Sequence, residues 1–600
     1  MKRNSFYFCI ILLALPALLA HALDRHRPDI RPQIPLADRN AENRVFLERA
    51  DLLTKAEEDS FMVLVGNVVF TKGGMTMRCD SAHYVAETES MDAFGSVSMT
   101  QGDTLEVTAD ELNYNGLTEV AVLYANPGRK VCLRNRDVTL ETDVFVYDLA
   151  IDLGYYEVGG TLTDPSNVLT SLKGEYAPST KEANFYIDVH LNSRNESDTL
   201  NIYSDTLYYN TASHIAELHS PSRVVNARGT IYTSLGIYDT DSNFSSLYNR
   251  SVVVTPQGQT VTADSLYYDR NAMFAEGFGN MILTDSAHKS ELHGDYGYYD
   301  QANDSSFVTG RAMLVEASGP DTLYLHSRYI QSFRRFDTIH IDEDTLTRTP
   351  AYDRIDTSQV AVAFPRVRFY RRDMQGICDS MRFTRADTML RMFVNPVVWS
   401  EDRQIFGKEI DLKLNDSTIE SVTIPEQAFT AQHIEGDHYN QLGGKEMIAR
   451  FEGGELRQLN VNGNVEIIVY PEESDSTINK LVNAESSFLE AWFKGQTTEK
   501  IKMWPSTTGT ATPLFIARQS DYFLSKFKWY EDIRPRDRQD IFIVPEMMEA
   551  LMADHPIPII EARPRSLERL RFIAPLPDEI PTVASPPEPP TDESEHDDET

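Results

Sequence analysis

Gly66-Asn67-Val68-Val69-Phe70 runs through a Gly-Gly turn into Met77-Arg78-Cys79-Asp80-Ser81-Ala82-His83-Tyr84. A glycine-led apolar strand enters a tight turn. A second strand returns carrying an Asp and, four residues on, an aromatic. The second half comes back as Ala109-Asp110-Glu111-Leu112-Asn113-Tyr114, Ser204-Asp205-Thr206-Leu207-Tyr208-Tyr209 and Ala263-Asp264-Ser265-Leu266-Tyr267-Tyr268. The first half comes back as Phe94-Gly95-Ser96-Val97, Gly277-Phe278-Gly279-Asn280-Met281 and Gly463-Asn464-Val465. From Asp51 the acidic position recurs after 29, 30 and 33 residues, at Asp80, Asp110 and Asp143. A steady period of this length marks one supersecondary unit stacked many times.

Within the unit, Leu105, Val107 and Ala109, then Leu112 and Tyr114, alternate with polar residues. Period two describes strands buried on one face. Gly suits a tight turn or a close backbone approach at the strand entrance, and Asn-Gly, Gly-Gly and Asp-rich joints supply the turns. The recurring Asp has the chemistry of a catalytic carboxylate. Its repetition instead describes a corner residue that satisfies backbone amides. The Tyr and Phe positions read as cross-strand ladder and core residues rather than a cofactor site.

The 600 residues carry a formal charge of −35. This balance excludes nucleic-acid binding by phosphate neutralisation and opposes adhesion to an anionic membrane surface. Lys2 and Arg3, the apolar run Phe6 to Leu19 and the small-residue site Ala20-His21-Ala22 describe a cleaved signal peptide, residues 1–22. Of the four cysteines, Cys79, Cys132 and Cys378 remain after that cleavage, too few for a disulfide scaffold. Cys79 and Cys378 precede the Asp where Ala stands elsewhere, so they read as small core residues; a Cys79–Cys132 bridge is not required.

A leader is expected over 23–44 and a β-repeat region over 45–332. The Asp/Thr-rich stretch 333–365 breaks the period and reads as an insertion or strand pair. A second repeat region follows over 366–504. Residues 505–560, with Trp529, Tyr530 and several Phe, read as a terminal cap over the open end of the core, with a short helix over 546–555. Residues 561–600 read as a Pro-rich, acidic, disordered tail.

Enzymatic motifs are missing. The chain has no Gly-x-Ser-x-Gly elbow, His-Glu-x-x-His or phosphate-cradling loop. His288 and His293, with Asp285 and Glu291, have no familiar ligand spacing and read as surface strand residues, not a metal site. No cofactor and no enzymatic activity are expected. Asp-Ser/Thr-apolar triplets such as Asp205-Thr206-Leu207 have the form of an O-glycosylation signal, but the repeat itself generates them.

The run Gly66-Asn67-Val68, Gly74, Cys79-Asp80 and Tyr84, preceded by Val45-Phe46-Leu47-Glu48-Arg49-Ala50-Asp51, resembles the OstA/LptA-type domain of lipopolysaccharide transport. The long multi-repeat OstA-like proteins of Bacteroidota are the most similar type. The resemblance is most specific over about residues 45 to 115, and weaker copies extend it to about residue 500. It implies an all-β fold, a twisted, V-shaped jelly roll of antiparallel strands open along one side. It implies a periplasmic, non-enzymatic scaffold, associated with the outer membrane, that shelters the acyl chains of lipopolysaccharide between two sheets. It also implies end-to-end strand pairing with other transport proteins. This chain departs from the short members in its length, its insertion and its C-terminal segment.

Val68, Phe70, Val97, Met99, Leu112, Tyr114, Leu207 and Leu266 are the groove candidates. The same residues would form an ordinary closed core if the sheets met. The alternative function is therefore a structural or adhesive envelope solenoid without lipid cargo. A carbohydrate-active enzyme ranks last, because carboxylates are spread evenly rather than clustered.

Overall fold

The computed structural model describes residues 44–55, 60–195, 198–319, 321–341, 352–415, 418–473, 477–495, 497–555 and 565. The signal peptide, the leader before residue 44 and nearly all of the tail expected over 561–600 lie outside the described residues. The chain is almost entirely antiparallel β-structure and divides into two units, residues 1–242 and 243–600.

The fold of the first unit follows from the Gly-Asn phrase. Met62–Lys72 pairs with Met75–Val85, but the register slips between Val65 and Val68. There Gly66 and Asn67 have φ of +83° and +44°. Two successive left-handed residues make a bulge that bends the strand sharply. Ser90–Gln101 slips the same way at Gly95-Ser96, φ +73° and +44°.

The two halves of each bent strand join different sheets. Residues 62–65, 81–85, 90–94, 111–115, 120–124 and 144–148 form one ladder. Residues 68–72, 75–79, 97–101, 105–109, 131–135 and 138–142 form the other. Both ladders continue to 236–239 and 229–233 respectively. One period of about 30 residues therefore adds two strands to each sheet.

The corner explains the Asp. The Asp51 amide donates to the Gly66 carbonyl at 2.9 Å, and the pair recurs from Asp264 to Gly279 (2.8 Å) and from Asp295 to Gly310 (2.7 Å). The carboxylates of Asp51 and Asp264 accept the side-chain amides of Asn67 (2.7 Å) and Asn280 (2.8 Å). Asp110 instead accepts the Asn126 backbone amide at 2.7 Å. A Cβ on Gly66 or Gly279 would stand 2.6 Å from the facing Asp oxygen, so glycine is needed for space as well as for φ.

Between the sheets, Leu64, Ala82, Leu112 and Phe145 face Val68, Cys79, Val97 and Leu133, all buried. Cys79, Cys132 and Cys378 are free thiols. Burial raises the Cys79 thiol to about 11, with the neighbouring Asp80 adding to the effect.

The second unit repeats the scheme around Leu292, Val308, Phe369, Cys378, Met381, Ile410 and Val461. Two features are its own. Tyr329–Ile341 and Tyr352–Phe364 pair along their whole lengths. Neighbouring strands reach only Tyr329–Ser332 and Val360–Ala363. The rest is a two-stranded ribbon that carries the exposed Phe336 and Ile355. This ribbon occupies the stretch where the repeat breaks.

The second feature corrects the terminal cap. Thr508–Pro513 is a strand of the sheet, pairing with Lys480–Glu485. The chain after it does not close the end of the core. It runs back across the outward face of one sheet as a strap, with short 3-10 turns and one helix, Glu546–Leu551. Strap residues Tyr530, Ile533, Met548 and Met552 pack on Ile377, Val397 and Trp399. The strap forms here because the sheet face beneath it is apolar and offers polar anchors at intervals. Gln441 bonds the Tyr522 carbonyl and the Leu524 amide (2.7 and 2.9 Å). Gln404 bonds the Lys528 carbonyl and the Tyr530 amide (2.9 and 2.8 Å). Arg368, 1 % exposed, donates to the Ile533 carbonyl at 2.9 Å.

Candidate functional site

The groove candidates sit on inward positions of the bent strands. Val68 and Val97 follow the glycine corners and lie deep between the sheets, fully enclosed by protein. Leu207 is equally enclosed farther along the first unit, and Leu266 belongs to the second. The other four, Phe70, Met99, Leu112 and Tyr114, converge on a cleft at the strand ends away from the corners.

This cleft is lined also by Val45, Met75, Met77, Met91 and Leu149, with Thr71 and Lys72 among its walls. Its cavity volume is about 30 Å³, room for water-sized groups and not for an acyl chain. Four of the lining residues are methionines, whose unbranched thioether side chains repack at low cost. A narrow cleft with such walls can widen by rotamer change without backbone strain.

The mouth is polar. Lys72 Nζ lies 3.2 Å from Glu119 and 5.7 Å above the Tyr114 ring. Glu89, 1 % exposed, accepts the Val45 amide at 3.0 Å and the Arg44 guanidinium at 2.8 Å, which fixes the chain entering the cleft wall. Burial lifts the Tyr84 hydroxyl above its usual range, with Glu89 adding to it. Sequence reasoning missed Met75, Met77, Met91 and Val45. The signal for the three methionines was the density of methionine in 75–99, which only the pairing register brings to one spot; Val45 gave none.

The outermost strands offer a second kind of site. Phe46–Arg49 and Leu52–Thr54 pair on one side only among the described residues, both with Met62–Lys72. Phe46, Leu52 and Leu53 are about half exposed there. Farther along the chain, Thr497–Trp504 and Thr508–Pro513 pair, among the described residues, only with Lys480–Lys494. Unpaired strand edges of this kind are templates for strand addition.

The histidines singled out in the sequence sit in simple carboxylate pairs. His288 pairs with Asp285 at 2.9 Å and His293 with Glu291 at 2.8 Å. Among the described residues no group of three or more His, Cys, Asp or Glu is placed to hold a metal ion.

Comparison with known proteins bears on the first unit. Residues 42–197 match the family described as OstA-like protein. Among solved structures the chain is similar to LptH, the LptA homologous periplasmic component of the lipopolysaccharide transport device from Pseudomonas aeruginosa. That similarity has 14% identity and a TM-score of 0.18, and covers 19% of this chain and 82% of that one. No curated protein matches the chain. The stretch 42–197 that matches the OstA-like family is built on the glycine-cornered, two-sheet repeat.

Proposed function

We propose that this protein is a periplasmic, non-enzymatic scaffold of lipopolysaccharide transport. It shelters acyl chains between its two sheets and bridges toward the outer membrane by strand pairing at its open edges. The observation that carries the reading is the methionine-walled cleft where Phe70, Met99, Leu112 and Tyr114 meet. It is a place where apolar side chains from between the sheets reach the surface of an OstA-like stretch. Each acyl methylene moved from water into such a layer gains about 0.8 kcal/mol. Many similar positions along the layer favour sliding over trapping. The edge strands Phe46–Arg49 and Thr497–Trp504 supply the unpaired backbone that end-to-end pairing requires.

Native mass spectrometry of the mature protein from its own periplasm, with lipid extraction of the same sample, tests this. The expected result is a co-purifying lipid bearing acyl chains, lost in Met91→Trp, which fills the cleft without adding a charge. A clean protein mass and no uptake of added lipopolysaccharide would leave the closed-core structural scaffold as the function.

A further inference from the structure

The outward face of the second unit carries an aromatic and acidic strip that is buried. On strands Phe274–Asp285 and Ser290–Asp300 the outward residues include Phe274, Glu276, Tyr298 and Asp300, with Phe307 beside them. Phe274 is 7 % exposed, Glu276 1 % and Phe307 5 %. Outward aromatics of the first unit are open by contrast, with Phe94 at 37 % and Tyr124 at 42 %. The strip is continuous, since Phe274 stacks on Tyr298 at 5.5 Å and Tyr298 on Phe307 at 5.6 Å.

One residue from far along the chain lies on it. The Arg565 guanidinium sits 4.7 Å above the Phe274 ring. Its backbone amide donates to Glu276 at 3.2 Å, and its Nη1 lies 4.0 Å from the Asp300 carboxylate. Tyr296 holds the same Glu276 oxygen at 2.5 Å. The sequence around Arg565 is unlike the rest of this acidic chain. Arg563, Arg565, Arg569 and Arg571 alternate with Leu567, Leu570, Phe572 and Ile573. A cation over a ring, a carboxylate beside it and an apolar strip beneath match a basic and apolar peptide in each respect.

We propose that this strip is the docking site of the chain's own basic segment, residues 563–573, with Arg565 as its anchor. The inference does not depend on lipid carriage. The segment is distinct in charge from the acidic stretch that follows it.

A photo-crosslinking amino acid placed at position 565 of the full-length protein tests it. The expected adducts map, by peptide mass spectrometry of the monomer, to residues 267–278 and 296–307. Adducts on other strands, on a second copy of the chain or none at all would overturn the proposal. With the crosslinker moved to position 566, Arg565→Glu should lower the yield on the strip about three- to tenfold while leaving the sheets untouched. The double change Phe274→Leu and Glu276→Gln should do the same from the other side. An unchanged yield in Arg565→Glu would mean that Arg565 is not the anchor.

Discussion

Each unit has the same corner device and a core of its own inward residues, and the two differ on their outward faces. In the first unit the outward rings of Phe94, Tyr124, Tyr155 and Tyr208 meet solvent. In the second, residues 514–555 of the chain lie across one sheet and bury Trp399, Arg368, Gln404 and Gln441. The repeat of the first unit thus needs no cover to be a two-sheet sandwich, because its inward alternation alone supplies a core. The strap adds a third layer to the second unit, held by side chains that would otherwise be ordinary outward polar residues.

All four tryptophans, Trp399, Trp492, Trp504 and Trp529, lie in the second unit, so their fluorescence reports that unit alone. The largest effect is expected from ending the chain after Pro513. Exposing Trp399, and losing Tyr530, Met548 and Met552 from its cover, should cost the second unit more than about 5 kcal/mol. The tryptophan-detected transition in urea would fall sharply, while hydrogen exchange in residues 62–115 stays as in the full chain. Equal loosening of both would break the distinction between them.

Arg368→Ala comes next. Burial pulls the Arg368 guanidinium below its usual value, with Asp540 opposing. Removing it strands the strap carbonyl of Ile533, and about 3 kcal/mol should be lost. Arg223→Ala in the first unit, which removes a guanidinium 4.8 Å above the Tyr203 ring, should cost at most about 1 kcal/mol by the same urea series read through tyrosine.

Gln404→Leu should cost about 1–3 kcal/mol in the second unit, since it leaves a buried strap amide and carbonyl unpaired. A cost near zero would mean that the glutamine anchors guide the strap's register without stabilising it.

The smallest effect is one of pH. His326 faces Phe542 of the strap at 4.6 Å and donates from Nδ1 to the Ala312 carbonyl at 2.6 Å. Burial lowers its pKa from 6.5, the Ala312 bond opposes this, and nearby Arg368 adds to the lowering. The folded state therefore favours the neutral ring, and the unfolded chain takes up the proton first. Stability present at neutral pH is lost as pH falls through 6.5. The tryptophan-detected urea midpoint should drop below that pH, and His326→Gln should remove that part of the slope.

Much of the fold was legible because its causes are local. Gly66 and Asn67 announce a bend by their backbone freedom, and Asp51 and Asp264 face that bend at a fixed spacing. Period-two alternation then assigns Val68, Val97 and Leu112 to the inside. The cleft was half legible. Phe70, Met99, Leu112 and Tyr114 could be named as inward, but alternation does not say which inward residues lie near a strand end. A terminal aromatic-rich stretch such as 514–555 reads as a cap because its sequence carries no address. Gln375, Gln404 and Gln441 look like any outward polar residue until chain more than 80 positions away lies on them.

The period, the corners, the inward set and the all-β class are written in the residues themselves. These follow from backbone conformation and alternation, which act over a few residues. Long-range packing buried Val68, Val97, Leu207 and Leu266. It also placed the cleft among four methionines, sent the C-terminal chain back over the second unit, and set Arg565 on Phe274. Those outcomes rest on contacts between residues far apart in the chain, where packing and charge choose the partner and local pattern is silent.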